Sequence, residues 1–162
     1  METIIIGIGN PLLTDDSVGI KVVRSLGKWA RAKKDVVARE FCAGGIRLME
    51  ELIGYKKAVI IDAMVTRGGE PGAVSTLQLS ELMKTRNTYS THDASLAEAL
   101  ELGKLLGLQL PDDIKIWAIE AGDVGTYSEG LTKKVQAAVP RVVQDVIRHL
   151  DGNSSLPTQE GR

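Results

Sequence analysis

The stretch Gly7-Ile8-Gly9-Asn10-Pro11-Leu12-Leu13-Thr14-Asp15-Asp16 decides how the rest of the chain is read. The β-branched run Thr3-Ile4-Ile5-Ile6 enters it as a strand and meets a glycine turn. Pro11 has no N–H and biases Asn10 toward an extended conformation, so the chain makes a loop before any helix begins. Two adjacent carboxylates, Asp15 and Asp16, follow at the start of an amphipathic segment, where a helix dipole favours negative charge. A strand end, a glycine loop and paired acids at a helix start describe a site at the carboxyl edge of an α/β sheet. Asp15 alone can be a helix N-cap, but one cap does not need two acids. Gly7-x-Gly9 matches part of a dinucleotide fingerprint, with Leu12 where the third glycine belongs.

Working outward, residues 3–8 read as a buried strand and 16–33 as a helix. Val18, Val22, Leu26 and Trp29 lie on one face of that helix; Lys21, Arg24, Lys28 and Arg31 form a solvated one. Residues 36–41 read as a second strand, and 46–53 as a short helix stopped by Gly54. Ala58-Val59-Ile60-Ile61-Asp62 is a strand apolar on successive residues, as a sheet covered on both faces requires, and it ends in an acid. A fourth strand over 73–79 follows a glycine-rich connection too short for a helical crossover, which makes it antiparallel and places it at an edge. A helical turn over 80–84 precedes a helix from Ser90 to Leu106, stopped by Gly107 and burying Leu96, Ala99, Leu100, Gly103 and Leu106. Residues 114–120 form the last strand, and Thr132 opens the last helix, which Pro140 should interrupt and kink. The predicted fold is an α/β three-layer sandwich: a mostly parallel five-stranded sheet with one antiparallel edge strand and helices on both faces. Residues 1–150 form one domain in this reading, with 151–162 as a disordered tail.

The 162 residues suffice for one domain with a real core. A formal net charge of -1 and a pI near 6.1 advertise neither nucleic acid nor an anionic membrane as a partner. No apolar run approaches the ~20 residues of a membrane helix, and no export signal is expected. The single cysteine, Cys42, cannot form an internal disulfide, which fits a cytoplasmic location; beside Phe41 it reads as a small buried residue. A monomer is expected, because the sheet uses up one amphipathic face of each helix.

Ligands on open α/β sheets bind outside the carboxyl ends of the strands. Asp16 follows the first strand, Asp62 closes the third, and His92 opens a helix after the fourth, so each lies at an element boundary. Two carboxylates and an imidazole suit a borderline divalent metal, the imidazole fitting nickel, zinc, copper or iron. Asp93 either caps that helix or orients the imidazole. Glu120, at the end of the last strand, could also reach the site, but beside a glycine loop it reads as solvated. His149 sits in the last turn of the final helix, where the dipole alone favours a histidine.

The ordered set of Gly7–Asp16, Val59-Ile60-Ile61-Asp62-Ala63 and Ser90-Thr91-His92 resembles the hydrogenase maturation endopeptidases, from Thr3 to about Leu150. These peptidases remove a C-terminal extension from the nickel-iron hydrogenase large subunit after nickel insertion. The resemblance implies that Asp16, Asp62 and His92 are the catalytic and metal-contacting residues. Gly9, Asn10, Asp15, Gly44, Gly45 and Asp93 are the expected substrate contacts. The sequence departs from the family at Phe41-Cys42-Ala43-Gly44-Gly45, where a more glycine-rich stretch led by an acid is usual. The implied nickel arrives with the precursor, and the purified protein holds no metal or another divalent ion. Gly68–Gly72 and Ala121–Tyr127 are the expected docking loops. Two other functions fit parts of the pattern: a noncatalytic metal-sensing chaperone, and a nucleotide-binding module using Gly7–Gly9.

Overall fold

A computed structural model describes residues 2–79 and 91–152, with only the backbone for 91–95. The expected turn over 80–84, and the expected tail beyond residue 152, lie outside the described residues. Five strands, β1 (Thr3–Ile8), β2 (Val36–Phe41), β3 (Lys57–Met64), β4 (Val74–Gln78) and β5 (Asp113–Glu120), form one sheet in the order β2-β1-β3-β5-β4. All neighbours are parallel except β4, which runs antiparallel to β5 at the edge. The predicted fold class is the observed one.

Among the described residues four helices cover the sheet: α1 (Val18–Arg31), α2 (Gly45–Leu52), α3 (Thr91–Leu105) and α4 (Lys133–Leu150). Strand side chains alternate between two cores. Ile5, Val59, Ile61, Trp117 and Ile119 pack with Val22 and Leu26 of α1 and Val135, Val142 and Val146 of α4. Ile4, Ile6, Ile60, Ile114 and Ile116 pack on the other face with Leu48 and Leu52 of α2 and Leu96 and Leu100 of α3. This two-sided burial is why β1 and β3 are apolar at successive positions.

Several details differ from the sequence reading. The segment after Leu13 begins as a 3-10 turn, Thr14–Ser17, and becomes α-helical only at Val18. β3 continues two residues past Asp62. α4 runs through Pro140 as one 18-residue helix. α3 closes at Gly107 (φ 71°): Gly107 N–H donates to the Lys104 carbonyl and Leu108 N–H to that of Gly103. Leu106 therefore lies in the closing turn and is exposed rather than in the core. Arg24 of the basic α1 face makes a forked pair with Glu40 of β2.

Candidate active site

The strand order reverses between β1 and β3: the chain leaves β1 for β2 on one side and returns to β3 on the other. The crevice at such a switch point is where this architecture binds ligands. Asp16 lies in the turn after β1, and that turn packs against β3. Asp62 lies near the carboxyl end of β3. Two close approaches hold the flanking segments together. A Cβ at Gly19 would stand 2.3 Å from the Ile61 carbonyl oxygen, one residue before Asp62, and one at Gly7 would stand 2.2 Å from the Gly19 oxygen. The start of α1 therefore rests on bare backbone of β1 and β3. Gly9, at φ 151°, leaves no room for a Cβ against the carbonyl oxygen of Asp16. These glycines are used by packing, which removes the sequence basis for a phosphate cradle.

The Asp16 carboxylate is partly buried and accepts the Asn10 N–H at 2.8 Å. Asn10 also folds its own loop, its side-chain oxygen accepting the Leu12 N–H. Asp62 is buried, and its Oδ1 accepts the Ala63 N–H at 2.8 Å. Its position in β3 shares a face with Ala58 and Ile60, which pack toward α2 and α3. α3 runs opposite to β5, so its first turn, with His92 and Asp93, stands at the carboxyl edge on that same face. Asp93 lies inside the helix rather than capping it; the side chains of 91–95 are outside the described residues. Among the residues whose side chains are described, no three His, Cys, Asp or Glu side chains form a metal-holding group. Asp16 and Asp62 offer two carboxylates at one crevice, a donor chemistry that a divalent cation accepts.

Asp15 departs from both of its expected roles. It is neither an N-cap nor a substrate contact, because it is fully buried and turned away from solvent. Its Oδ2 accepts the N–H groups of Gly122 and Asp123 and the Thr132 hydroxyl, and its Oδ1 accepts the Thr132 N–H, all within 2.8–2.9 Å. Its own N–H donates to the Asp123 carbonyl. One carboxylate thus clamps the β5–α4 loop and the start of α4 onto the turn that carries Asp16. Thr14 beside it sits at φ 38°, a strained conformation for a β-branched residue. It is held there by its hydroxyl donating to the Thr126 carbonyl and its N–H donating to that of Ser128.

Other expectations resolve at this edge. Gly44 is the extended residue before α2, and Gly45, at φ 59°, makes the left-handed entry that favours glycine. Cys42 is exposed rather than buried, since β2 is an edge strand and the chain leaves the sheet after Phe41. Glu120 is buried rather than solvated: it accepts the Thr66 N–H at 2.7 Å and its hydroxyl at 2.8 Å. Gly69 lies so close that a Cβ there would meet Glu120 Oε1 at 2.1 Å. The Asp123 carboxyl is held below its ordinary value by the Thr126 side chain, then by the N–H groups of Thr126 and Gly125.

The profile of the hydrogenase maturation protease family matches residues 20–149, most of the chain. This chain belongs to the hydrogenase maturation protease family. The hydrogenase 2 maturation protease of Escherichia coli K12 is 24% identical over 162 residues, covering 98% of both chains. A solution structure of an Escherichia coli endopeptidase superposes with a TM-score of 0.80 at 24% identity, covering 95% of this chain and 94% of that one. The [NiFe] hydrogenase maturation protease HybD of Thermococcus kodakarensis gives a TM-score of 0.69 at 25% identity, covering 92% and 99%. The chain is accordingly a peptide hydrolase of hydrogenase maturation, and the two carboxylates at the switch point are its candidate chemistry. Sequence reasoning missed Thr132 and misread Glu120 as solvated. Thr132 carried only a helix-start signal, and nothing local to Glu120 pointed to Thr66.

Proposed function

We propose that this protein is the endopeptidase that removes the C-terminal extension of a nickel-iron hydrogenase large-subunit precursor once nickel has been inserted. The observation that carries this reading is the flanking of the β1/β3 switch point by Asp16 and Asp62, with the His92 turn at the same edge and face. Asp16, Asp62 and His92 are its catalytic and metal-contacting set. The nickel belongs to the substrate, so a standing metal site is not needed, and two carboxylates with an imidazole are donors a nickel ion accepts. A metal ion so held polarises a scissile carbonyl or acidifies a water. The chain's own contribution is to hold the peptide across the crevice and to take a proton from the attacking water on one carboxylate. Asn10 N–H fixes one oxygen of Asp16 for this work. Gly9, Asn10, Gly44, Gly45 and Asp93 are kept as contacts to the precursor. The protein acts as a cytoplasmic monomer in this reading; among the described residues no helix is long and apolar enough to cross a membrane.

The test is to incubate the purified protein with nickel-loaded and nickel-free precursor and read intact masses. Loss of a C-terminal peptide from the loaded precursor alone is the expected result. An unchanged mass in both, with binding retained, would make the protein a metal-sensing chaperone instead.

A further inference from the structure

We propose that Leu12 and Tyr127 form an apolar landing site for a side chain of the precursor next to the bond to be cut. This rests on the peptidase reading above and names what that site selects. Leu13 and Ser128 form an isolated parallel bridge, with Ser128 N–H donating to the Leu12 carbonyl and Thr14 N–H to that of Ser128. Leu12 and Tyr127 are the residues immediately before the bridged pair, so they stand side by side on two stitched segments. Both are nonetheless open to solvent, Leu12 at 52% and Tyr127 at 82%. These segments are fixed by the strained Thr14 and by the four hydrogen bonds of Asp15. An exposed aromatic on a rigid mount loses little freedom on binding, which is the chemistry of an interface anchor.

The occupant follows from place and from the side chains exposed there. Leu12 N–H donates to the side-chain oxygen of Asn10, whose own N–H donates to Asp16, so Leu12 stands in the loop that orients that carboxylate. Of the acids in these two segments, Asp15 is buried, Asp123 accepts the N–H groups of its own turn, and Glu129 is exposed two residues beyond Tyr127. The exposed pair Leu12 and Tyr127 is itself apolar, and an apolar precursor side chain is what covers it. Val124, in the same loop, and Ile46, in the first turn of α2, are also exposed at this edge. Leu105, 86% exposed at the far end of α3, offers an apolar side chain of similar size away from the site and serves as the control.

The experiment measures precursor cleavage by the full chain and by Leu12→Ser, Tyr127→Ser and Leu105→Ser, each first checked for an unchanged melting temperature. In parallel, Asp replaces in turn each precursor residue flanking the cut bond. The expected result is a rise in KM of about tenfold for Leu12→Ser and Tyr127→Ser. Their kcat should stay near that of the unsubstituted protein, and Leu105→Ser should be unchanged. At least one Asp-substituted precursor should lose kcat/KM to a similar degree with the unsubstituted protein, and should lose far less with Tyr127→Ser. Cleavage by the unsubstituted protein with no change in either site variant overturns the landing site and leaves the peptidase reading standing. Failure of the unsubstituted protein to cleave any loaded precursor overturns both.

Discussion

Asp15 and Asp16 are neighbours in sequence and belong to opposite sides of the molecule's economy of charge. The Asp15 side is closed: the carboxylate is fully buried, saturated by backbone and hydroxyl donors from the β5–α4 loop, and ties that loop to the start of α4. The Asp16 side is open: the carboxylate is partly buried, oriented by the Asn10 N–H, and lies in the turn that packs against β3, the strand carrying Asp62. Residue type does not distinguish them. What differs is the number of donors each meets, and that is set by a loop more than a hundred residues away in the chain. A buried carboxylate met by several donors is a structural tie. One with a single orienting donor at a strand-end crevice remains available for chemistry.

The largest effect that would break this contrast is on the rate. Asp16→Asn should lower the cleavage rate by roughly 10²–10⁴-fold, the usual worth of a general acid or base, while leaving the denaturation midpoint near its original value. Asp62→Asn and His92→Ala should fall in the same range. Asp15→Ala should do the reverse. It strands the donors of Gly122, Asp123 and Thr132 and should cost about 3 kcal/mol of stability in urea titration, while cleavage per folded molecule falls far less. Gly19→Ala sharpens the comparison from between the two: its Cβ would meet the Ile61 oxygen, forcing the start of α1 off β3. A stability loss of about 1–3 kcal/mol is expected, together with reduced cleavage, because the Asp16 turn moves with the helix.

The smallest effect lies at the other end of the sheet. His149 packs edge-on against Trp117 with ring centroids 5.3 Å apart. Burial first, then Lys115 and Lys57, hold its pKa below the ordinary 6.5, with Asp113 opposing. The unfolded chain therefore takes up this proton before the folded one does. Stability should fall as pH drops below about 6.5 and continue to fall until the folded imidazole is protonated. His149→Gln should flatten that part of the stability–pH curve and leave cleavage unchanged.

The legibility of the sequence divides along the same line. The β-branched apolar runs around Ile5 and Ile60 encode strands covered on both faces, and the short Val65–Ala73 connection encodes the antiparallel edge. Both are local signals, and the sheet follows from them. The placement of Asp16 and Asp62 at the ends of β1 and β3 was legible because strand ends announce themselves. The fate of Asp15 was not, because Gly122, Asp123 and Thr132 reach it only through tertiary packing. The same holds for Glu120, whose partner Thr66 lies across the β3–β5 edge. Cys42 was misread because burial was judged from its neighbour Phe41, whereas an edge strand leaves its last residues in solvent. Pro140 was misread as an interruption because a helix packed along one face by Val135, Val142 and Val146 tolerates the missing donor.

The most direct test sets the two neighbours against each other in one assay. Asp15→Asn and Asp16→Asn are each given nickel-loaded precursor at a temperature where both are folded, and intact mass is followed with time. The account predicts that Asp15→Asn still releases the C-terminal peptide while Asp16→Asn does not. Peptide release by Asp16→Asn at the rate of the unsubstituted protein would contradict it.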